Sequence, residues 1–181
     1  DYLADDIRTG KISTELPEFA QAENDVKAGI ERLMNIKGTK TVDHFHKRLG
    51  KIMWDKVGMA RNAEGLQTAI NDIQKLRDEF YHDVRIPGTI DSFNPELDKA
   101  NRVSDFLELG ELMAKDALTR EESCGGHFRE EHQTEEGEAK RNDKDFTYVS
   151  AWEYTGKPSE ALLHKEELIF DEIKLVERNY K

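Results

Sequence analysis

The residues of this chain with the most chemical potential lie between Arg120 and His132. Cys124, His127 and His132 stand close together there, and thiolate and imidazole are the groups that bind zinc in structural and catalytic sites. Their C-x2-H-x4-H spacing supplies three ligands, so Glu130 or Glu131 would have to complete a tetrahedron. Cys124 beside His127 also has the parts of a nucleophile and its base. His44 and His46 offer two more imidazoles, but side chains two apart on a helix point in different directions and do not share one ion. Glu130, Glu131, Glu135, Glu136 and Glu138 read more readily as a solvated acidic loop than as paired catalytic carboxylates. None of the 12 glycines falls in G-x-G-x-x-G or G-x-x-x-x-G-K-[ST], and H-E-x-x-H is missing, so dinucleotide cradling and zinc hydrolysis lack their usual supports. No catalytic, metal-ligating or cofactor-binding residue is assigned in this chain.

The elements that must position this run are helical. From Pro17, Phe19, Ala22, Val26, Ile30 and Leu33 recur at intervals of three and four, which predicts a helix ending near Gly38. Thr41 is a candidate N-cap for a second helix with Val42, Phe45, Leu49, Met53 and Val57 on one stripe, closed by Gly58 and Asn62. Leu66, Ala69, Ile73, Leu76 and Phe80 make a third stripe, followed by a loop from His82 to Phe93 around Pro87-Gly88. Asn94-Pro95 is a strong helix start, and Val103, Phe106, Leu107, Met113 and Ala117 follow it. Helices of about 20 residues are about 30 Å long, and short connections make sequential neighbours antiparallel.

The helical period stops after Arg120, where Gly125, Gly126 and Gly137 punctuate a charged stretch that reads as an extended loop. Phe146, Tyr148, Trp152 and Tyr154 then alternate, which predicts one apolar face of a strand. Thr155-Gly156-Lys157-Pro158 reads as a turn, and Leu162 to Val176 returns as a second strand or a helix. The expected fold is therefore mainly α: an antiparallel three- to four-helix bundle over residues 1–120, then an irregular loop and a small C-terminal β-hairpin over 121–181. Because an isolated hairpin is marginally stable, that tail is expected to lie on the bundle or on a further domain.

Composition narrows the partners. Apolar and charged residues each make up 36% of the chain, and the formal charge is -11. Nucleic acid and anionic membranes, which are bound through clustered Lys and Arg, are poor partners for such a chain, and none is expected. Cys124 is the sole cysteine, so no intrachain disulfide forms, which suits a reducing compartment. No apolar run reaches the roughly 20 residues that span a bilayer, so no direct membrane contact is expected. The opening at Asp1 suggests a chain cut from something longer.

The run Arg120-Glu121-Glu122-Ser123-Cys124-Gly125-Gly126-His127-Phe128-Arg129-Glu130-Glu131 resembles the R-x-E-S-R-G-x-H-x-R-x-D signature of succinate dehydrogenase and fumarate reductase flavoprotein subunits, and L-aspartate oxidases carry a related one. Arg120, Glu122, Ser123, Gly125, His127 and Arg129 match in register. Cys124 stands where the family has arginine, and a thiol cannot make the bidentate contacts of a guanidinium. Glu131 stands where the family has aspartate. Arg141-Asn142-Asp143-Lys144-Asp145-Phe146 resembles the family's charged turn into an aromatic strand, and Glu177-Arg178-Asn179-Tyr180 its basic, tyrosine-containing end. Upstream, Leu49 to Asp78 is similar to its middle helices.

The resemblance implies the C-terminal helical domain of such a subunit, a spectrin-repeat-like bundle followed by a β element that packs on the flavin domain. FAD and the substrate-binding residues would belong to preceding domains, with no cofactor in this fragment and no activity from it alone. The six matched residues are expected to contact that flavin domain. The whole subunit would interconvert succinate and fumarate, exchanging electrons with an iron-sulfur subunit and a membrane cytochrome b subunit. It would then be cytoplasmic and peripheral on the inner membrane. Two alternatives share this fold expectation: a free-standing helical interaction module, and the C-terminal domain of an L-aspartate oxidase, against which the resemblance of the tail from Phe146 to Tyr180 argues.

Overall fold

In a computed structural model that describes Ile7, Arg8, Gly10 and residues 13–176, the chain is mainly helical with a C-terminal hairpin. Helix α1 spans Pro17–Asn35, with proline in its first turn where a missing N–H costs nothing. A short strand β1, Lys40–Thr41, leads into α2, Val42–Lys56. The Thr41 hydroxyl caps α2 by accepting from the His44 amide at 3.3 Å. Strand β2, Ala60–Arg61, precedes α3, Ala63–Asp83. Asn62 is the cap of α3, its Oδ1 accepting from the Gly65 amide at 2.8 Å, so the residue read as the end of one helix begins the next. Strand β3, Val84–Arg85, closes α3, and α4 runs Pro95–Thr119 under Asn94, which accepts from the Glu96 and Leu97 amides.

Two short parallel pairings set the course of these helices. β1 pairs with β3, bringing the start of α2 to the end of α3. β2 pairs with β4, Phe128–Arg129, bringing the start of α3 to the segment just past the end of α4. The chain thus runs up, down and up through α2, α3 and α4. Their shared core holds Val42, Phe45, Leu49, Ile73, Leu76, Phe80, Val103 and Leu107, with the Phe45 and Phe80 rings edge-on at 5.3 Å. A second cluster of Val57, Leu66, Ala69, Ala114 and Ala117 sits towards the end of α4 that carries the signature run. Glu111 of α4 is fully buried: it accepts from Gln74 at 2.8 Å and is paired with Arg77, which satisfies a carboxylate that burial alone would penalise.

Several expectations change. In α1 only Leu33 is buried, and Phe19 and Val26 are exposed, so the helix meets the core through its last turn alone. In α4 the inward stripe is Ala100, Val103, Leu107, Gly110, Glu111, Ala114 and Ala117, while Phe106 and Met113 face outward. Small residues at 110, 114 and 117 let the neighbouring helices approach, and a Cβ on Gly110 would meet the Met53 sulfur at 3.2 Å. Phe146 belongs to a one-turn helix α5, Asp143–Phe146, so the predicted strand starts later. β5, Tyr148–Glu153, pairs antiparallel with β6, Leu162–Glu167, leaving Leu168 and Phe170 past the strand end. Between them, Gly156 turns the chain at φ 103° into a 3-10 turn, Pro158–Glu160. The basic, tyrosine-containing end at 177–180 lies outside the described residues.

The hairpin is fastened to α4. Trp152 Nε1 donates to Asp116 at 2.7 Å, and the Lys115 ammonium donates to the Ser159 and Ala161 carbonyls and lies 4.9 Å from the Trp152 ring centroid.

Candidate functional site

The residues from Arg120 to Glu131 form a clasp rather than an extended loop. Gly125 takes φ +59° with open space around it, the left-handed conformation that costs most residues a steric penalty. The reversal this allows joins Cys124 and His127 by reciprocal backbone bonds, 2.8 and 3.0 Å. His127 leads directly into β4, whose Phe128 amide donates to the Met59 carbonyl at 3.2 Å and whose neighbour Glu130 donates to the Arg61 carbonyl at 2.9 Å.

Arg129 is the centre of the clasp. It is 3% exposed, and its Nη1 donates to the carbonyls of Ala117 (2.9 Å), Leu118 (3.1 Å) and Arg120 (3.3 Å), while Nε reaches Glu131 at 3.2 Å. The last carbonyls of a helix have no partner within it, and a cation also suits the negative end of the helix dipole. Arg129 is thus a C-cap for α4 delivered from a strand. Ser123, fully buried, accepts from the Arg129 amide at 2.8 Å and donates to the Arg129 carbonyl at 3.1 Å, locking that strand in place.

Glu122 is buried as well. One oxygen accepts from Arg120 Nε at 2.8 Å and the other from the Asn142 amide at 2.9 Å. Arg120 continues the connection, donating from Nη2 to the Phe146 carbonyl at 2.8 Å and lying 5.5 Å from the Tyr148 ring centroid. The pair therefore links the end of α4 to the approach to the hairpin.

His127 ties the clasp to β2. Its Nε2 lies 2.9 Å from the Arg120 carbonyl and its Nδ1 lies 2.7 Å from Arg61 Nη2. A carbonyl only accepts and a guanidinium only donates, so the ring carries its proton on Nε2 and is neutral. Burial lowers its pKa from the ordinary value, aided by the charges of Arg61, Arg129 and Arg120 and opposed by the bond to the Arg120 carbonyl. Burial and Arg129 likewise lower the pKa of Arg61. Sequence reasoning missed Arg61 altogether, since a single arginine before a helix cap carries no motif.

The early chemical readings fare unevenly. Both His127 nitrogens are already engaged, and Cys124 is exposed at the tip of the turn. Among the described residues no group of three or more His, Cys, Asp or Glu is placed to hold a metal. The acidic run is more than a solvated loop: Glu131 accepts from the Ala63 amide at the start of α3, and Glu130 from Asn62 Nδ2 at 2.6 Å. His44 and His46 part company, the first beside Arg48 and the second against Phe106. Two apolar grooves share Leu109. One, about 220 Å³, is lined by His46, Met53, Phe106 and Met113, and the other, about 230 Å³, by Leu112, Trp152, Tyr154 and Pro158. Both are smaller than the roughly 300–1,000 Å³ of ordinary ligand pockets, and neither is lined by a guanidinium or ammonium for a dinucleotide's phosphates. Neither groove fits FAD.

Residues 46–180 match the family described as fumarate reductase flavoprotein C-term. The fumarate reductase flavoprotein subunit of Proteus vulgaris is 31% identical over 122 residues, covering 67% of this chain and 20% of that protein. An L-aspartate oxidase of Synechocystis sp. is 27% identical over 128 residues, covering 63% of this chain and 23% of its own. Among solved structures, a quinol-fumarate reductase with menaquinol molecules superposes with a TM-score of 0.74 at 26% identity, over 92% of this chain and 28% of that one. The chain spans between a fifth and a quarter of the length of these curated relatives. With the match covering 46–180 and enclosing the clasp, this chain belongs to the C-terminal domain family of fumarate reductase and succinate dehydrogenase flavoproteins.

Proposed function

We propose that this chain is the C-terminal portion of a flavoprotein subunit that interconverts succinate and fumarate. In that subunit a preceding flavin domain would hold FAD, which would supply hydride exchange with the dicarboxylate. Electrons then pass to or from an iron-sulfur subunit and a membrane cytochrome b subunit. The chain's own part is structural: a spectrin-repeat-like bundle over 1–120 and a clasp and hairpin over 121–181 that brace the flavin domain and offer surface to partners. The observation that carries this reading is the signature run itself. Arg120, Glu122, Ser123, Gly125, His127 and Arg129 form one connected clasp at the end of α4, within a chain whose family is that of these flavoproteins. Contact of the clasp with the flavin domain is assigned to its exposed tip around Cys124, because the buried members of the set are engaged within the chain.

The test is the protein with and without its upstream region. The coding region before Asp1 should specify a G-x-G-x-x-G flavin domain, and the extended protein should retain flavin and turn over succinate or fumarate. The 181-residue chain alone should do neither. A start codon or an unrelated domain upstream would instead favour a free-standing helical interaction module. The similarity to an L-aspartate oxidase supports a second reading: turnover of L-aspartate in preference to succinate by the extended protein would select it.

A further inference from the structure

We infer that His127 is a pH-sensitive latch, closing the β2–β4 clasp while its imidazole is neutral and opening it when the ring gains a second proton. The geometry admits one protonation state. Nδ1 must accept from Arg61 Nη2 at 2.7 Å while Nε2–H donates to the Arg120 carbonyl at 2.9 Å. A proton added at Nδ1 would set an N–H against an N–H and a positive ring against a guanidinium.

The groups around the ring would not neutralise that charge. From β2 comes Arg61, which also donates to the Val57 carbonyl at 3.2 Å and whose Nε is buried without a partner. From the end of α4 comes Arg120, whose Nε is already held by Glu122. From β4 comes Arg129, held by Glu131. Asp116 of α4 is the carboxylate that acts on Arg61, and it is bonded to Trp152. Three cations thus face one imidazole, and their counter-charges are turned elsewhere. Burial acts in the same direction.

The linkage has a definite sign. A histidine whose folded pKa lies below its unfolded value contributes stability that is fully present above about pH 6.5 and is lost as pH falls through the folded pKa. The loss should appear first where His127 acts, at the Phe128 and Glu130 amides bonded to Met59 and Arg61. The core amide of Ile73 in α3 serves as an internal reference, since that residue is fully buried.

The experiment is amide hydrogen exchange on the full 181-residue chain from pH 7.5 to 5.0, corrected for intrinsic rates, alongside an NMR titration of the six imidazoles. Protection of Phe128 and Glu130 relative to Ile73 should fall by up to about tenfold for each pH unit between about pH 6.5, where an unlatched imidazole charges, and the lower pH at which the His127 ring itself titrates, and should level off below that. The His127 ring should stay neutral as the Nε2–H tautomer below about pH 6.5, the ordinary value of an imidazole. His127→Gln, whose amide can still accept and donate, should hold the ratio constant. A constant ratio in the wild type over this range, or a parallel fall in the glutamine variant, would overturn the latch. If the variant does not fold, the wild-type curves decide alone: a fall in protection that begins near pH 6.5 and ends where the His127 ring titrates supports the latch, and no fall, or one that continues past the ring titration, refutes it. None of these outcomes depends on the reaction of the full-length protein.

Discussion

At the scale of single residues, Arg129 shows why a signature can be structural while looking catalytic. Its guanidinium reaches three carbonyls at the end of α4 and one carboxylate from a site almost closed to water. Arg129→Ala would strand the Ala117 and Leu118 carbonyls, while the Arg120 carbonyl keeps His127 and the partly exposed Glu131 keeps the Ala63 amide, and losing hydrogen bonds to a charged group costs about 1.5–3 kcal/mol. Arg129→Lys should recover only part of that loss, because an ammonium on a flexible stem cannot span the same fork of acceptors. Urea unfolding of the three proteins should rank wild type above lysine above alanine. Equal midpoints for wild type and alanine would remove Arg129 from the centre of the clasp. Cys124 is the counterpoint. It is exposed and outside the clasp's side-chain network, so the family's arginine at this position can be absent without loosening the connections beneath it.

At the scale of elements, the bundle depends on how its ends are tied, and Asp83 ties one of them. Its carboxylate accepts from the Thr39 amide at 2.7 Å and the Thr39 hydroxyl at 2.9 Å and pairs with Lys40 at 2.9 Å, joining the end of α3 to β1. Gly38 allows the approach, since a Cβ there would lie 2.0 Å from the Asp83 carbonyl carbon. Lys40, and then the Thr39 amide and hydroxyl, lower the Asp83 pKa from 3.8 to about 2. A carboxylate with a depressed folded pKa contributes stability present above its unfolded value and lost as pH falls through the folded one. Acid unfolding of the wild type should therefore steepen between about pH 4 and pH 2, and Asp83→Asn should flatten that window while lowering stability at neutral pH. Parallel profiles would show that the tie does not titrate as a unit. The helices themselves were legible in the sequence because apolar spacing reports a buried face: all five residues of the stripe from Leu66 to Phe80 are buried, and Thr41 and Asn94 cap as their types predict. Phe106, Met113, Phe19 and Val26 misled because periodicity marks a stripe without saying what covers it. The structure brings the six matched positions together, but their arrangement depends on Arg61 and on β2, far away in sequence and short enough to leave no pattern.

At the scale of the whole molecule, several large apolar side chains stand on the surface. Phe106, Leu109 and Met113 stand outward on α4, Trp54 is 85% exposed on α2, and Ile169 and Ile173 are open beyond the hairpin. The two grooves meet at Leu109, so the outward face of α4 continues into the face of β5 at Trp152. Contiguous uncovered patches of this kind seldom remain solvated, whereas a formal charge of -11 makes two copies repel at long range. The two terms differ in range. Repulsion between exposed charges is screened within about 10 Å at 0.1 M salt and about 3 Å at 1 M, while apolar burial acts at contact and is not weakened by added sodium chloride. The isolated chain should therefore elute as a monomer when dilute in low salt and shift towards dimer or larger species as concentration and salt rise together. Leu109→Glu, which places a charge where the grooves join, should abolish the shift without altering the helical circular dichroism. In the extended protein the same substitution should loosen the contact with the upstream region if that region covers this face, seen as faster proteolysis at the junction before Pro17. An elution position independent of concentration and salt would show that the charge alone keeps these faces apart, and that no large apolar surface is waiting to be covered.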